Sequence, residues 1–303
     1  MDAMGGETGM FGWSWEGTPV STGCDTRGEG ETVLLLPAFS TVSTRAEMAP
    51  LAARLGPGFR TVTPDWPGFG SGRHPRLPHG PDLHLAFLES FVRQRLTRPV
   101  AVTAAGHAAG YVLALARRAP GVWSRIALIA PTWRGPLPTM MGGYRPLRDR
   151  VRAAIQAPIV GHALYRLNVS RPVIATMYRR HVYADRTRLT PEFLARKSHV
   201  ARRPGGRFGS AAFVTGALDP VRDRESFLAL ANPPTVPTLV VYGADTPPRS
   251  LAEMEALAAL PGIQSRRLDA GALGIHEECA AAVAEVIVPF LRGATRTGDG
   301  VVS

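Results

Sequence analysis

The chain has 303 residues, of which 45% are hydrophobic, a formal net charge of +11 and two cysteines. That length and apolar content fit one globular core with room for an inserted subdomain. Two cysteines without metal-ligand spacing rule out a disulfide-rich scaffold. We therefore expect a cytoplasmic protein without a signal or transit peptide, and we expect neither a metal nor a cofactor.

The basic charge is carried by arginine and is concentrated in one part of the chain. Lys197 is the only lysine, so 34 of the 35 basic residues are arginine. Residues 134–207 hold 16 basic and 3 acidic residues, which leaves the rest of the chain slightly acidic. This segment has no nucleic-acid recognition motif and no interleaved aromatic residues, so nucleic acid is not an expected partner. An anionic ligand, an acidic membrane surface and a merely solvated face all remain open.

Hydrophobic patterns predict alternating strands and helices in the first hundred residues. We expect the first dozen residues to be disordered and residues 13–27 to form one or two antiparallel edge strands. Residues 31–40 predict a buried strand ending in Pro-Ala-Phe, and residues 43–55 predict a helix ended by Gly-Pro. The next strand runs into the loop of residues 65–71, Asp-Trp-Pro-Gly-Phe-Gly-Ser, and a helix follows near residues 81–96.

A buried strand, a sharp bend and a buried helix are predicted for residues 100–116, with Gly106 and Gly110 on either side of the bend. The run is uncharged, but its change of residue type and its two glycines argue against a membrane span. Gly106-His-Ala-Ala-Gly110 resembles the nucleophile elbow, G-x-S-x-G, of the α/β-hydrolase superfamily. Residues 65–71 are similar to the D-x-x-G-x-G-x-S loop of the same family.

The resemblance implies an α/β-hydrolase fold, in which a mostly parallel central sheet is flanked by helices and carries an inserted helical cap. It predicts a core at residues 1–133 and 208–293, a basic cap at residues 134–207 and a disordered tail at residues 294–303. Strands are predicted at residues 125–131 and 237–245, and helices at residues 144–157, 159–169, 173–183, 191–201, 222–230 and 280–291.

The resemblance also places the three catalytic residues of the family, and this chain departs from all three. Ala108 occupies the serine position, and an alanine methyl group cannot attack a carbonyl. The acid is expected at Thr246, one residue after Asp245, and the histidine is expected at Ala272. Conventional hydrolysis is therefore not expected, because its three groups must lie within hydrogen-bond reach of one another.

Three titratable residues remain as candidates for proton transfer. Asp245 is displaced by one position. His276 replaces the absent histidine if its loop is longer than in the family, and the alternative is a rim or surface residue just before the final helix. His107 adjoins the bend, although the corresponding family residue points into the core. Asp65 could be catalytic, but the resemblance favours a structural role.

The same resemblance suggests binding groups. The backbone N–H groups of Phe39 and Ala109 would form an oxyanion hole, which survives replacement of side chains. Four residues in or beside the cap are candidates for contacts with a substrate: Trp133, Arg134, Met140 and Tyr178. Aromatic and methionine side chains at helical spacing are also typical of plain core packing.

Three functions remain open. The first is cofactor-free, non-covalent acid/base chemistry on a small carbonyl-containing or apolar molecule. The second is non-catalytic binding of a small molecule or lipid. The third is an ester or amide hydrolase in which an engineered replacement of serine gave Ala108, but losses at both the nucleophile and histidine positions favour natural divergence. The chain also resembles a poorly characterised bacterial and plant subgroup with alanine at the elbow.

Overall fold

Eight strands form a single sheet in the computed structural model, which describes residues 6–70, 74–141 and 145–293. The strands are β1 Gly6–Trp15, β2 Thr18–Arg27, β3 Glu31–Leu36, β4 Phe59–Pro64, β5 Val100–Ala105, β6 Trp123–Ile129, β7 Thr238–Gly243 and β8 Ile263–Leu268. Their spatial order is β1-β2-β4-β3-β5-β6-β7-β8. β2 is antiparallel to both of its neighbours, and all pairs from β4 to β8 are parallel.

Helices cover the sheet and fill the interval between β6 and β7. The helices are α1 Ala49–Leu55, α2 Pro81–Arg95, α3 Ala108–Arg118, α4 Pro136–Met141, α5 Arg145–Gln156, α6 Val160–Asn168, α7 Arg171–Met177, α8 Pro191–Ala201, α9 Gly206–Val214, α10 Arg224–Ala231, α11 Pro248–Ala258, α12 Ile275–Glu278 and α13 Ala280–Leu291. Two 3₁₀ helices and one π-helix complete the set: Arg45–Met48, Arg186–Arg188 and Tyr178–Val182.

The inner strands are apolar runs because helices cover both faces of the sheet. Every residue of β5 and of β7 is buried, and the last four residues of β3 are buried leucines or valine. The edge strand β8 instead exposes Gln264 to Arg267, and charged side chains at an edge discourage pairing with another chain. The predicted α/β-hydrolase fold, with a mostly parallel sheet flanked by helices, is therefore confirmed.

The expectation that the first dozen residues are disordered is wrong, because β1 begins at Gly6 and pairs along its whole length with β2. Glu16 and Gly17 both have positive φ, as the two-residue turn of a tight hairpin requires. Phe11 then packs edge-on against Phe87 and Phe91, at ring-centroid distances of 5.9 and 4.9 Å. Residues 71 and 294–303, which the predictions also covered, lie outside the described residues.

The helices from α4 to α9, residues 136–214, are called the helical segment below. Predicted helices at residues 159–169 and 191–201 are present as α6 and α8, and the helix expected at residues 173–183 is α7 continued by the π-helix. The helices α4 and α9 were not predicted. The segment has an apolar cluster of its own, separate from the main core: Tyr165, Val169, Ile174, Tyr178, Tyr183, Phe193 and Ala201, joined by Val42.

Candidate functional site

The turn between β5 and α3 bends at Gly106. Gly106 has a φ of +53°, whereas His107 is right-handed helical and Ala108 is already the first residue of α3. In a nucleophile elbow the serine occupies the strained apex of the turn, and glycine adopts positive φ without the penalty that a Cβ brings. The apex is therefore Gly106, and the sequence register that put Ala108 in the nucleophile position is corrected. Ala108 is fully buried inside the fold.

The assignment of the apex to Gly106 also changes which backbone N–H groups can form the oxyanion hole. The N–H of Ala109 donates to the carbonyl oxygen of Gly106 at 3.2 Å and is buried in the turn, so its predicted role is also corrected. The residue after the apex is His107. Among the described residues, the backbone N–H groups of His107 and Phe39 have no acceptor, and both residues line the same cavity. These two groups are the oxyanion donors that the structure offers.

A cavity of about 960 Å³ lies beyond the carboxyl ends of the parallel strands and beneath the helical segment. This is where open α/β sheets bind their ligands. Its walls are mainly apolar, and all four predicted substrate-contact residues lie on them: Trp133, Arg134, Met140 and Tyr178. Asp245 and Ala109 do not line it. A space of this size and character suits one small apolar molecule with a few polar groups.

A buried histidine and a buried glutamate meet on the cavity wall. Nε2 of His276 lies 3.2 Å from Oε1 of Glu47, and both side chains are less than a tenth exposed. Neither ring nitrogen of His276 makes a hydrogen bond with the described residues, so its contact with Glu47 is one of distance and charge. His276 is therefore a buried residue of the cavity wall, carried by α12, and the part of the alternative that placed it on the surface is wrong.

The Glu47 carboxylate is held by protein donors around it. Oε1 accepts the backbone N–H of Ala38 at 2.6 Å, and Oε2 accepts the hydroxyl of Ser43 in a very short hydrogen bond. Burial raises the pKa of Glu47, but His276, Lys197 and Ser43 outweigh it and hold that pKa below its usual value. Glu47 is therefore an anion at neutral pH, placed to stabilise a protonated imidazole.

Sequence reasoning missed Glu47 and Ser43, although a signal for Glu47 was present. Glu47 precedes Met48 and lies four residues before Leu51, so it falls on the apolar face of the helix predicted for residues 43–55. A carboxylate on an inward face needs a partner, because a buried unpaired charge is costly. The partner comes from the far end of the chain, and no local pattern shows it.

Asp245 does not act as the partner of His276. Its Oδ2 accepts the N–H of Gly271 at 2.9 Å, and its own N–H donates to the carbonyl oxygen of Gly271 at 3.1 Å. The side chain is exposed and lies off the cavity wall. Asp245 joins the loops after β7 and β8, so its predicted role as a candidate acid is corrected to a structural one.

His107 points into the core, as its position predicts. Its Nε2 lies 3.1 Å from the carbonyl oxygen of Leu218 and 3.5 Å from Oδ1 of Asp219. Burial lowers the pKa of His107 to about 4 and raises the pKa of Asp219 to about 7. His107 is therefore a neutral anchor between the elbow and the chain after α9. Its backbone N–H, not its imidazole, is the group it offers to the cavity.

Asp65 is structural, as the resemblance favours. It is fully buried, and its carboxylate accepts the backbone N–H of Arg45 at 2.7 Å and the guanidinium of the same residue at 2.6 Å. The guanidinium of Arg45 also pairs with Asp25 at 2.9 Å. The pair fixes the start of the 3₁₀ helix that carries Glu47.

The loop that carries His276 is fastened to the helical segment. Gly274 donates its N–H to the carbonyl oxygen of Val182 at 2.8 Å, and a Cβ at Gly274 would come within 2.8 Å of the Tyr183 ring. Glu277, beside His276, pairs with Lys197 of α8 at 3.0 Å. These contacts fix the loop that carries His276 against the helical segment, whereas Glu47 contacts the imidazole itself.

The fold agrees with the comparisons. Residues 33–286 match the model of the alpha/beta hydrolase family, and the chain belongs to that family. No curated protein sequence matches the chain. No group of three or more His, Cys, Asp or Glu side chains that could hold a metal ion occurs within the described ranges.

Several solved structures share the fold at low identity. A thermophilic esterase from Thermogutta terrifontis matches with 20% identity and a TM-score of 0.70, covering 95% of this chain and 99% of the esterase. A bromoperoxidase from Bacillus anthracis matches with 16% identity and a TM-score of 0.69, covering 94% and 100%. A meta-cleavage product hydrolase from Pseudomonas fluorescens matches with 16% identity and a TM-score of 0.69, covering 91% and 96%.

Proposed function

We propose that this protein carries out cofactor-free, non-covalent acid/base chemistry on a small, largely apolar molecule that contains a carbonyl group. One observation carries the proposal. The buried pair of Glu47 and His276 lies on the wall of the same apolar cavity as Gly106, whose position at the apex of the elbow has no side chain. The cavity therefore offers a base and no attacking oxygen at the elbow.

The residues support one simple sequence of proton movements. The imidazole of His276 takes a proton from the carbon next to the substrate carbonyl, and the electron pair moves onto the carbonyl oxygen. The imidazolium that forms lies against the Glu47 carboxylate, 3.2 Å away. The N–H groups of Phe39 and His107 stabilise the enolate oxygen. Return of this proton to another carbon completes isomerisation. Exchange of the imidazolium proton with solvent, followed by proton return to the same carbon, completes isotope exchange.

Isotope exchange tests this proposal without knowledge of the natural substrate. The protein is incubated in D₂O with a panel of small apolar ketones, and deuterium uptake next to the carbonyl is followed by mass spectrometry. We expect uptake above the buffer rate for at least one ketone, and a fall of about 100-fold or more in His276→Gln and Glu47→Gln.

His181→Gln is the matched control, because His181 also lines the cavity but is exposed and makes no contact with Glu47. It should keep the exchange rate. Equal rates for the wild-type protein and His276→Gln would refute the proposed base.

A second candidate is binding without turnover. The observation that favours it is the enclosure of Glu47, whose carboxylate oxygens already accept two protein hydrogen bonds and face an imidazole. Under this alternative, apolar ketones raise the melting temperature of the protein and deuterium uptake stays at the buffer rate for all of them. The two measurements together separate the candidates.

The third function, a hydrolase disabled at Ala108, has little support. A serine at position 108 would lie inside α3, where the native side chain is fully buried and off the cavity wall. Restoring a serine there would therefore not place a hydroxyl beside His276.

A further inference from the structure

Helix α6 carries an apolar face that no other part of the described chain covers. Four large apolar side chains, one at its N-cap and three within the helix, are exposed by 83%, 64%, 48% and 69% of their surface: Ile159, Val160, Leu164 and Leu167. Contiguous exposed apolar patches are rare on monomeric proteins and mark contact sites.

The exposed face is opposite to the face that packs inward. Gly161 and Tyr165 are buried, and Tyr165 donates its hydroxyl hydrogen to the carbonyl oxygen of Ala201 at 2.8 Å. Successive helical residues are about 100° apart, so the exposed residues span an arc of about 140° on the other side. The helix is thus apolar on two sides, and packing within the described chain accounts for only one of them.

Arginines without an ion pair in the described chain lie on α6 and on the helices that follow it. Arg166 lies on α6 beside the apolar arc, Arg171 begins α7, and Arg179 and Arg180 follow on the π-helix. All four are exposed, and none forms an ion pair with a described carboxylate. The arrangement of apolar side chains flanked by arginines is typical of segments that lie in a lipid–water interface.

Exposed apolar side chains also lie on the cavity wall. Val173 of α7 and Met140 of α4 are exposed by 40% and 66%, and both also line the cavity. α7 contacts α6 directly. Arg180 lines the cavity as well, so apolar and cationic groups both reach its rim.

We propose that α6 docks this protein on the surface of an anionic lipid bilayer, with its apolar face among the acyl chains and its neighbouring arginines on the headgroup phosphates. The rim at Met140 and Val173 then faces the bilayer, and an apolar molecule dissolved in lipid enters the cavity from there. None of the described helices is long and apolar enough to cross a membrane, so the contact is peripheral. This inference goes beyond the proposed chemistry and does not depend on it.

Vesicle sedimentation tests the docking surface on the full chain. Sucrose-loaded vesicles are prepared from phosphatidylcholine alone and with about one-third phosphatidylglycerol. We expect the wild-type protein to sediment with the anionic vesicles at least about tenfold more strongly than with the neutral ones, and we expect high salt to weaken this binding.

Two pairs of variants separate the two contributions. Leu164→Ser combined with Leu167→Ser should lower binding to anionic vesicles by about tenfold or more, whereas Met10→Ser, an equally exposed apolar site on β1, should not. Arg166→Gln combined with Arg171→Gln should lower it by about fivefold per arginine, whereas Arg54→Gln on α1 should not. Because all these side chains are exposed, we expect the melting temperatures to stay unchanged.

Three outcomes would overturn the inference. One is equal sedimentation of the wild-type protein with neutral and anionic vesicles. Another is unchanged binding of the Leu164→Ser and Leu167→Ser double variant. The third is a dimer in sedimentation velocity that the leucine substitutions convert to a monomer, since a second copy would then cover α6. Each is measured without a substrate, so loss of ketone exchange leaves the result unaffected.

Discussion

Two sides of the cavity offer different groups to a ligand. The elbow side has a sharp turn and two backbone N–H groups without an acceptor among the described residues, but its apex, Gly106, has no side chain. The opposite side has a buried histidine and glutamate, His276 and Glu47, held in place by Ala38, Ser43 and the helical segment. Backbone donors depend only on the path of the chain, whereas a titratable group needs a specific side chain. A backbone donor therefore tolerates side-chain substitutions that a titratable group does not.

A serine at the apex is the strongest way to break this comparison. Gly106→Ser adds a Cβ that would lie 3.0 Å from the Cβ of Ala38, so it is combined with Ala38→Gly. We expect a fluorophosphonate probe to label this double variant, and not the wild-type protein, as seen by intact mass. Ala108→Ser is the control and should stay unlabelled. If the probe labels Ala108→Ser and not the double variant, the apex is at position 108, as the sequence predicted.

Removal of the Glu47 side chain tests the side of the cavity that carries His276, through the free energy of unfolding. Glu47→Ala leaves the N–H of Ala38 and the hydroxyl of Ser43 without their acceptor and removes the carboxylate beside the imidazole of His276. We expect the free energy of unfolding in urea to fall by about 3 kcal/mol. Glu255→Ala, which removes a half-exposed ion pair with Arg267, should cost less than about 1 kcal/mol. A similar cost for both variants would mean that Glu47 is not an anchor.

The elbow side carries a pH-dependent cost at Asp219. Burial raises its pKa from 3.8 to about 7, so the folded state holds this proton more tightly than the unfolded state. Its contribution to stability is full below about pH 4 and is lost as the pH rises through about 7. Asp219→Asn should therefore be more stable than wild type at about pH 8, by about 1–4 kcal/mol. Urea unfolding near pH 4 should show almost no difference, and an equal gain at both pH values would contradict the assignment.

The smallest effect is expected at Asp245, which lies outside the comparison. Asp245→Ala removes one hydrogen bond to the N–H of Gly271, and the side chain is exposed. We expect a loss of about 0.5–1.5 kcal/mol in unfolding free energy and no change in ketone exchange. A fall in exchange comparable to that of His276→Gln would show that Asp245 assists the base after all.

The fold was predictable because its signals are local. Apolar strand runs, the loop of residues 65–71 and the glycine-flanked bend each report on a few neighbouring residues, and together they define the family. The register of the elbow was not predictable from the sequence, because its two candidate segments, Ala-Ala-Gly-His-Ala and Gly-His-Ala-Ala-Gly, overlap. Only the positive φ of Gly106 distinguishes them. The pairing of Glu47 with His276 joins the two ends of the chain, so no local pattern reveals it.

The hydrogen bond from Gly274 to Val182 has a consequence for the proposed chemistry. The end of the π-helix and the loop that holds His276 share this backbone hydrogen bond and a packed glycine. The wall that covers the cavity and the imidazole that lies on it are therefore positioned by the same contacts, so a substitution in one element is expected to alter the other.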